Sequence, residues 1–190
     1  MAKPLPLDER LNVAARLVTR ARIFYDIWWF YEGADTRPKI LDTMSIYSEF
    51  FRIDTHAHLV AMVIYLAGLF ESRSDTVNFD ALINEAEAAG VSKAAVDSAR
   101  VLMREVASIP SKIAILRSNL FGHRSASLSY AEAFQKAELK PDQFRDLTVV
   151  GLKIANTLLK ARGLDEQFFH ELSREDVEML INDLAKANAS

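Results

Sequence analysis

The chain contains no cysteine, which excludes disulfides, thiolate metal sites and thiol nucleophiles. Chain breakers are scarce, with six Gly and five Pro in 190 residues, so long uninterrupted elements are possible. The longest apolar run, Leu59 to Phe70, has twelve residues. A membrane-spanning helix needs about twenty, so this run reads as a buried core helix. The opening Met-Ala-Lys-Pro-Leu-Pro lacks the apolar stretch of a signal peptide. There is no surplus of positive charge either. The net charge of −3 argues against a surface built for general nucleic-acid or membrane binding, and leaves room for a local basic site. These absences together set the expectation of a soluble, cytoplasmic chain with no membrane contact.

Half of the residues are hydrophobic and 26% are charged, an ordinary globular balance. A length of 190 residues suits one domain spanning 1–190, large enough to bury about two-thirds of its unfolded surface. Apolar residues recur at spacings of three and four, and no segment alternates as a strand does. The fold expected is therefore all-α, a single bundle of about six helices.

Asp8 is placed to cap a first helix through Leu11, Ala15, Val18, Tyr25 and Trp29 to a stop at Gly33. Its end, Trp28-Trp29-Phe30-Tyr31, is apolar nearly all round and calls for cover from a second subunit or from the chain's own core. A turn cluster around Pro38 precedes a long second helix from near Thr43 to Phe70. Asn78 and Ser92 are suited to cap the third and fourth helices, and Gly90 to stop the third. A fifth helix is expected from about Ser111 to Phe121, with Ile109, Ile113, Leu116 and Leu120 facing inward. After a serine-rich loop and a short amphipathic piece, Pro141 opens a long helix stopped by Gly163. Ser173 with Asp176 has the pattern of a capping box for a last helix, 173–188, burying Val177, Leu180, Ile181 and Leu184.

Two constellations carry functional residue types. Asp54-Thr55-His56-Ala57-His58 contains the His-x-His of metal-dependent amidohydrolases, which there sits on a strand whose alternate residues share a face. Here the periodicity is helical. Residues two apart then lie roughly 200° round the axis, so the imidazoles diverge and no metal site is expected. His58 falls on the apolar stripe and reads as a hydrogen-bonded core histidine, with His56 nearer the surface.

The second is Ile113 to Ser125, which holds Arg117, Ser118, Asn119, His123 and Arg124. Arg117 shares a flank with Ile113 and Leu120, at the edge of the buried face. Gly122 can end the helix and let His123 turn back toward Arg117. A guanidinium offers a fork of donors to phosphate oxygens, and an imidazole moves protons near neutral pH. Between Arg100 and Arg124 five basic residues face the single acid Glu105. An arginine and a histidine at a helix end can also simply cap carbonyls and stack on Phe121, and residue chemistry alone favours that simpler role.

The string Arg117-x5-His123 in an all-α chain resembles the Arg-x(4–6)-His motif of the HEPN superfamily (higher eukaryotes and prokaryotes nucleotide-binding). More narrowly, it resembles the branch associated with bacterial abortive infection. The likeness is carried by Tyr65 to Glu71 with Asn78 to Ile83, by Leu116 to Arg124, and by Phe144 to Leu159. It covers most of residues 8–162, leaving 173–188 as an addition to the core. Family members often have Asn or another polar residue directly after the arginine; here it is Ser118, with Asn119 one place later.

The resemblance implies a homodimeric, metal-independent and cofactor-free endoribonuclease of the toxin or phage-defence type, with RNA as substrate and a cognate antitoxin as partner. It assigns Arg117 and His123 to catalysis at a composite dimer site, and Ser118, Asn119 and Arg124 to support of the substrate. The alternative it leaves open is a catalytically inactive HEPN-like module that binds nucleotide, RNA or protein.

Overall fold

A computed structural model describes residues 5–72, 76–122 and 130–188. Among them are nine α-helices, one π-helical turn and no strand. The all-α expectation holds, with more and shorter helices than the six or so expected.

The frame is three long helices: α1 (Leu7–Glu32), α3 (Ser48–Phe70) and α8 (Pro141–Ala161), with α1 packed between the other two. On α1, Leu11, Ala14, Ala15, Val18, Ala21 and Tyr25 recur at helical spacing and are all buried. Alanines on this stripe let the neighbouring helices approach closely, and Gly151 of α8 takes the approach further. A Cβ there would lie 3.1 Å from Val18 and 3.3 Å from Phe79. On α3, Leu59, Met62, Val63, Leu66, Leu69 and Phe70 fill the other side of the core. α3 is long and apolar enough to cross a membrane, yet these residues pack on α1, and only its outer strip is exposed.

The smaller helices close the bundle. Asn78 caps α4 (Phe79–Ala88) by accepting from the Ala81 N–H at 2.9 Å, and Ser92 caps α5 (Lys93–Glu105) through Ala95. Gly90 and Gly163 adopt the positive φ expected of helix stops. α6 (Pro110–Leu116), α7 (Tyr130–Ala137) and α9 (Leu172–Asn188) complete the fold.

Five expectations are corrected. Pro38 lies in the first turn of a helix, α2 (Arg37–Ile46), where its missing N–H costs nothing, and not in a loop. The long second helix is broken at Tyr47, whose backbone (φ −110°, ψ 40°) separates α2 from α3. Asp8 lies in the first turn of α1 and grips Arg162, the residue that follows α8, which holds its carboxyl below the usual range. Ser173 is likewise inside α9, so it is not the cap, and Leu180 is exposed while Ile181 is buried. The fifth helix changes type at Arg117.

The aromatic end of α1 is covered by its own chain. Phe30 and Tyr31 form a second small core with Ile40 and Met44 of α2, Phe51 of α3 and Ile181 of α9. The Tyr31 hydroxyl donates to Asp54 at 3.0 Å, and burial, then the adjacent Asp54 charge, pushes its pKa up.

Candidate active site

Ile113 and Leu116 are buried and anchor α6 to α3. From Arg117 to Gly122 the backbone then widens into a π-helical turn, in which bonds run from i to i+5. Arg117 sits at the changeover, its N–H shared between the carbonyls of Ile113 and Ala114. Its side chain is about one-third exposed, at the edge of the buried face as its position beside Leu116 suggested. Single π turns are uncommon and concentrate at functional sites, because they displace side chains from the regular helical register.

The guanidinium of Arg117 donates through Nη1 to Oε2 of Glu71, which closes the C-terminal end of α3. The Glu71 N–H still bonds to the Ala67 carbonyl, so the carboxylate is fixed to the end of a rigid helix. A carboxylate at a helix C-terminus opposes the macrodipole, and a cation facing it offsets that cost. With each side chain only 23–32% exposed, the pair has more effect than a fully solvated surface bridge. Glu71 was missed as a site residue, although it ends the Tyr65–Glu71 segment. The one local signal was an acid at the wrong end of an apolar helix.

Of the supporting residues, Asn119 donates from Nδ2 to the Ile115 carbonyl at 2.7 Å, tying the π turn back to α6. Ser118 is exposed. His123 and Arg124 lie outside the described residues, as does the approach of His123 to Arg117. Among the described residues of the basic stretch, three are engaged by other elements. Arg100 of α5 is engaged by Glu87 of α4 through two hydrogen bonds, and Lys112 donates to the Glu138 carbonyl. Arg117 is held by Glu71, so three of the five, Arg100, Lys112 and Arg117, are engaged within the fold.

The two neighbouring histidines diverge on α3. His56 is exposed. His58 Nδ1–H donates to the Asp54 carbonyl at 2.7 Å, and its ring meets Phe24 and Tyr31 edge-on. It is the hydrogen-bonded core histidine its position predicted.

The outer strip of α3 leads to Glu71. Phe50, Ile53, Ala57, Ala61, Ile64, Gly68 and Glu71 follow one another at spacings of three and four, one face of a helix. Phe50, Ile53 and Ile64 are each 47–58% exposed, and a Cβ at Gly68 would meet nothing within 4 Å. The result is an apolar track that ends at the Arg117 site.

The model of the family described as AbiU2 (HEPN_AbiU2) matches residues 5–184, from the start of α1 into α9. No curated protein and no solved structure matches the chain.

Proposed function

The chain belongs to the HEPN_AbiU2 family, and from that premise we propose that it is a metal-independent endoribonuclease acting at a site shared by two copies. The observation that carries this reading is the placement of Arg117: first residue of a π turn, partly exposed, and oriented by Glu71. In the reaction the ribose 2′-oxygen attacks the adjacent phosphorus as a base removes its proton. The bond from phosphorus to the 5′-oxygen breaks, and an acid protonates the leaving oxygen. Arg117 supplies the charge and paired donors that stabilise the crowded phosphorane. His123 moves the protons, one copy serving as base and the other as acid. Ser118, Asn119 and Arg124 support the substrate, and Glu71 holds the guanidinium in line until phosphate oxygens compete for it.

A two-fold pairing needs a self-complementary surface that brings both motifs together. The exposed strip of α3 fits this requirement, because it is apolar and runs into Glu71. Ile53→Asp should convert a two-chain species to a single chain in light scattering at micromolar concentration. Cleavage should fall in proportion, and melting should change little, because the site is exposed. A variant that stays dimeric would remove α3 from the interface.

The reaction type has its own test. RNA cut by this chemistry carries 2′,3′-cyclic phosphate and 5′-hydroxyl ends, and the cutting continues in EDTA. Ends with a 5′-phosphate, or activity abolished by EDTA and restored by a divalent ion, would refute it.

One observation favours a second reading. Glu71 already occupies Arg117, and Ser118 stands where the family often has Asn, which suits a silent module that binds RNA or nucleotide. Binding without any cleavage, unchanged in His123→Ala, is the outcome that would select it.

A further inference from the structure

A cavity of about 250 Å³ opens beside the C-terminal half of α1, with one side chain each from the early turns of α8 and α9 in its lining. It lies away from Arg117: Tyr31 meets Asp54 at this end, and Glu71 is about seventeen residues further along α3, roughly 25 Å of helix. Three arginines from three helices line it, Arg22 of α1, Arg145 of α8 and Arg174 of α9.

Their circumstances point to a ligand. Arg174 is the third residue of α9 and Arg145 the fifth of α8, so both add positive charge near helix ends that are already positive. Intrachain pairing does not account for them. Arg145 has only a loose 3.7 Å contact with Asp142, and Arg174 has no ion pair among the described residues. Arg22 is fixed, its Nε donating to both oxygens of Asp26 at 2.7 and 2.9 Å, with the guanidinium 5.0 Å from the centre of the Phe169 ring. That leaves its Nη donors without a hydrogen bond among the described residues. Asp26 and Asp35 also line the space; the Asp26 carboxylate is bonded to Arg22 and also faces the charge of Arg174, which makes no direct ion pair with it. The indole of Trp29, 37% exposed and stacked on Tyr25, forms a flat wall.

We propose that this cavity binds the phosphate group of a small phosphorylated ligand, with Arg22, Arg145 and Arg174 as its donors and Trp29 as a stacking face. Arginine forks match phosphate oxygens, and three of them from three helices can close on one group. The volume suits free phosphate or a mononucleotide better than a larger molecule.

The test titrates inorganic phosphate and adenosine 5′-monophosphate separately into the full chain, following melting temperature and tryptophan fluorescence. Both should raise the melting temperature saturably. If the source is a mononucleotide, adenosine 5′-monophosphate binds more tightly and quenches fluorescence in a way that Trp29→Phe removes. If it is free phosphate, the two bind alike with no quenching. Arg145→Gln with Arg174→Gln, both at exposed positions, should weaken binding at least roughly tenfold, the loss expected for a charge-assisted hydrogen bond. Arg117→Ala should bind as the parent does, which separates this site from the proposed nuclease centre. No saturable response to either probe, or a response unchanged in the double variant, would overturn the proposal.

Discussion

His123→Ala should lower RNA cleavage by on the order of a hundredfold or more while leaving the melting temperature where it was, because it deletes the proposed proton-transfer group. Arg117→Ala should lose a comparable amount. Arg117→Lys should recover little, since an ammonium cannot reproduce the planar fork that pairs with two phosphate oxygens. Glu71 adds a finer comparison. Glu71→Gln keeps a hydrogen-bond acceptor for Arg117 and removes the competing charge, so substrate should bind more tightly with a smaller effect on the chemical step. His58→Ala provides the contrast. It removes a ring packed on Phe24 and bonded to Asp54, so it should lower stability and spare cleavage per folded molecule. Parent-like cleavage by His123→Ala would end the ribonuclease reading at its centre. A much lower melting temperature for that variant would instead assign His123 to capping the helix end.

The largest stability loss is expected at Phe79→Ala. Phe79 is fully buried at the start of α4, with its ring 5.1 Å from Phe70 and against the backbone at Gly151. Truncation empties a space where α1, α4 and α8 meet, at a cost of about 3–5 kcal/mol. For a chain of this size that lowers the melting temperature by on the order of 10 °C. Thermal unfolding followed by circular dichroism measures it directly. A drop of only a degree or two would mean that the three helices close over the gap.

The parts of this fold that can be read from sequence are those decided locally. Asn78 and Ser92 cap α4 and α5, and Pro141 opens α8, because each signal acts within a few residues of itself. Asp8 and Ser173 carry the same residue chemistry and do not cap. Asp8 is drawn to Arg162, which is 154 residues away, and Ser173 sits one residue inside α9. Tertiary context decided the first. The break at Tyr47 has no glycine or proline to mark it; it occurs where the apolar stripe must change direction to cover Phe30 and Tyr31. At the candidate site, the edge position of Arg117 follows from periodicity. The widening of the backbone does not, because composition carries no mark of a change from i+4 to i+5 bonding. Glu71 was out of reach for a simpler reason: its partner is 46 residues along the chain.

The π turn has a consequence for how the motif tolerates variation. A loop closed from i to i+5 holds one more residue than the α-helical loop, so Arg117–Gly122 stores a residue of slack between a fixed arginine and whatever follows. Removing one residue there can be absorbed by tightening the turn to ordinary α geometry. In a uniform helix the same deletion would swing everything downstream by about 100°. On the proposed reading, a motif one residue shorter would keep its arginine and histidine on the same phosphate, because the turn tightens to take up the difference. In this chain the slack lies between Arg117 and Gly122, so the arginine keeps its grip on Glu71 whatever length of chain follows the turn.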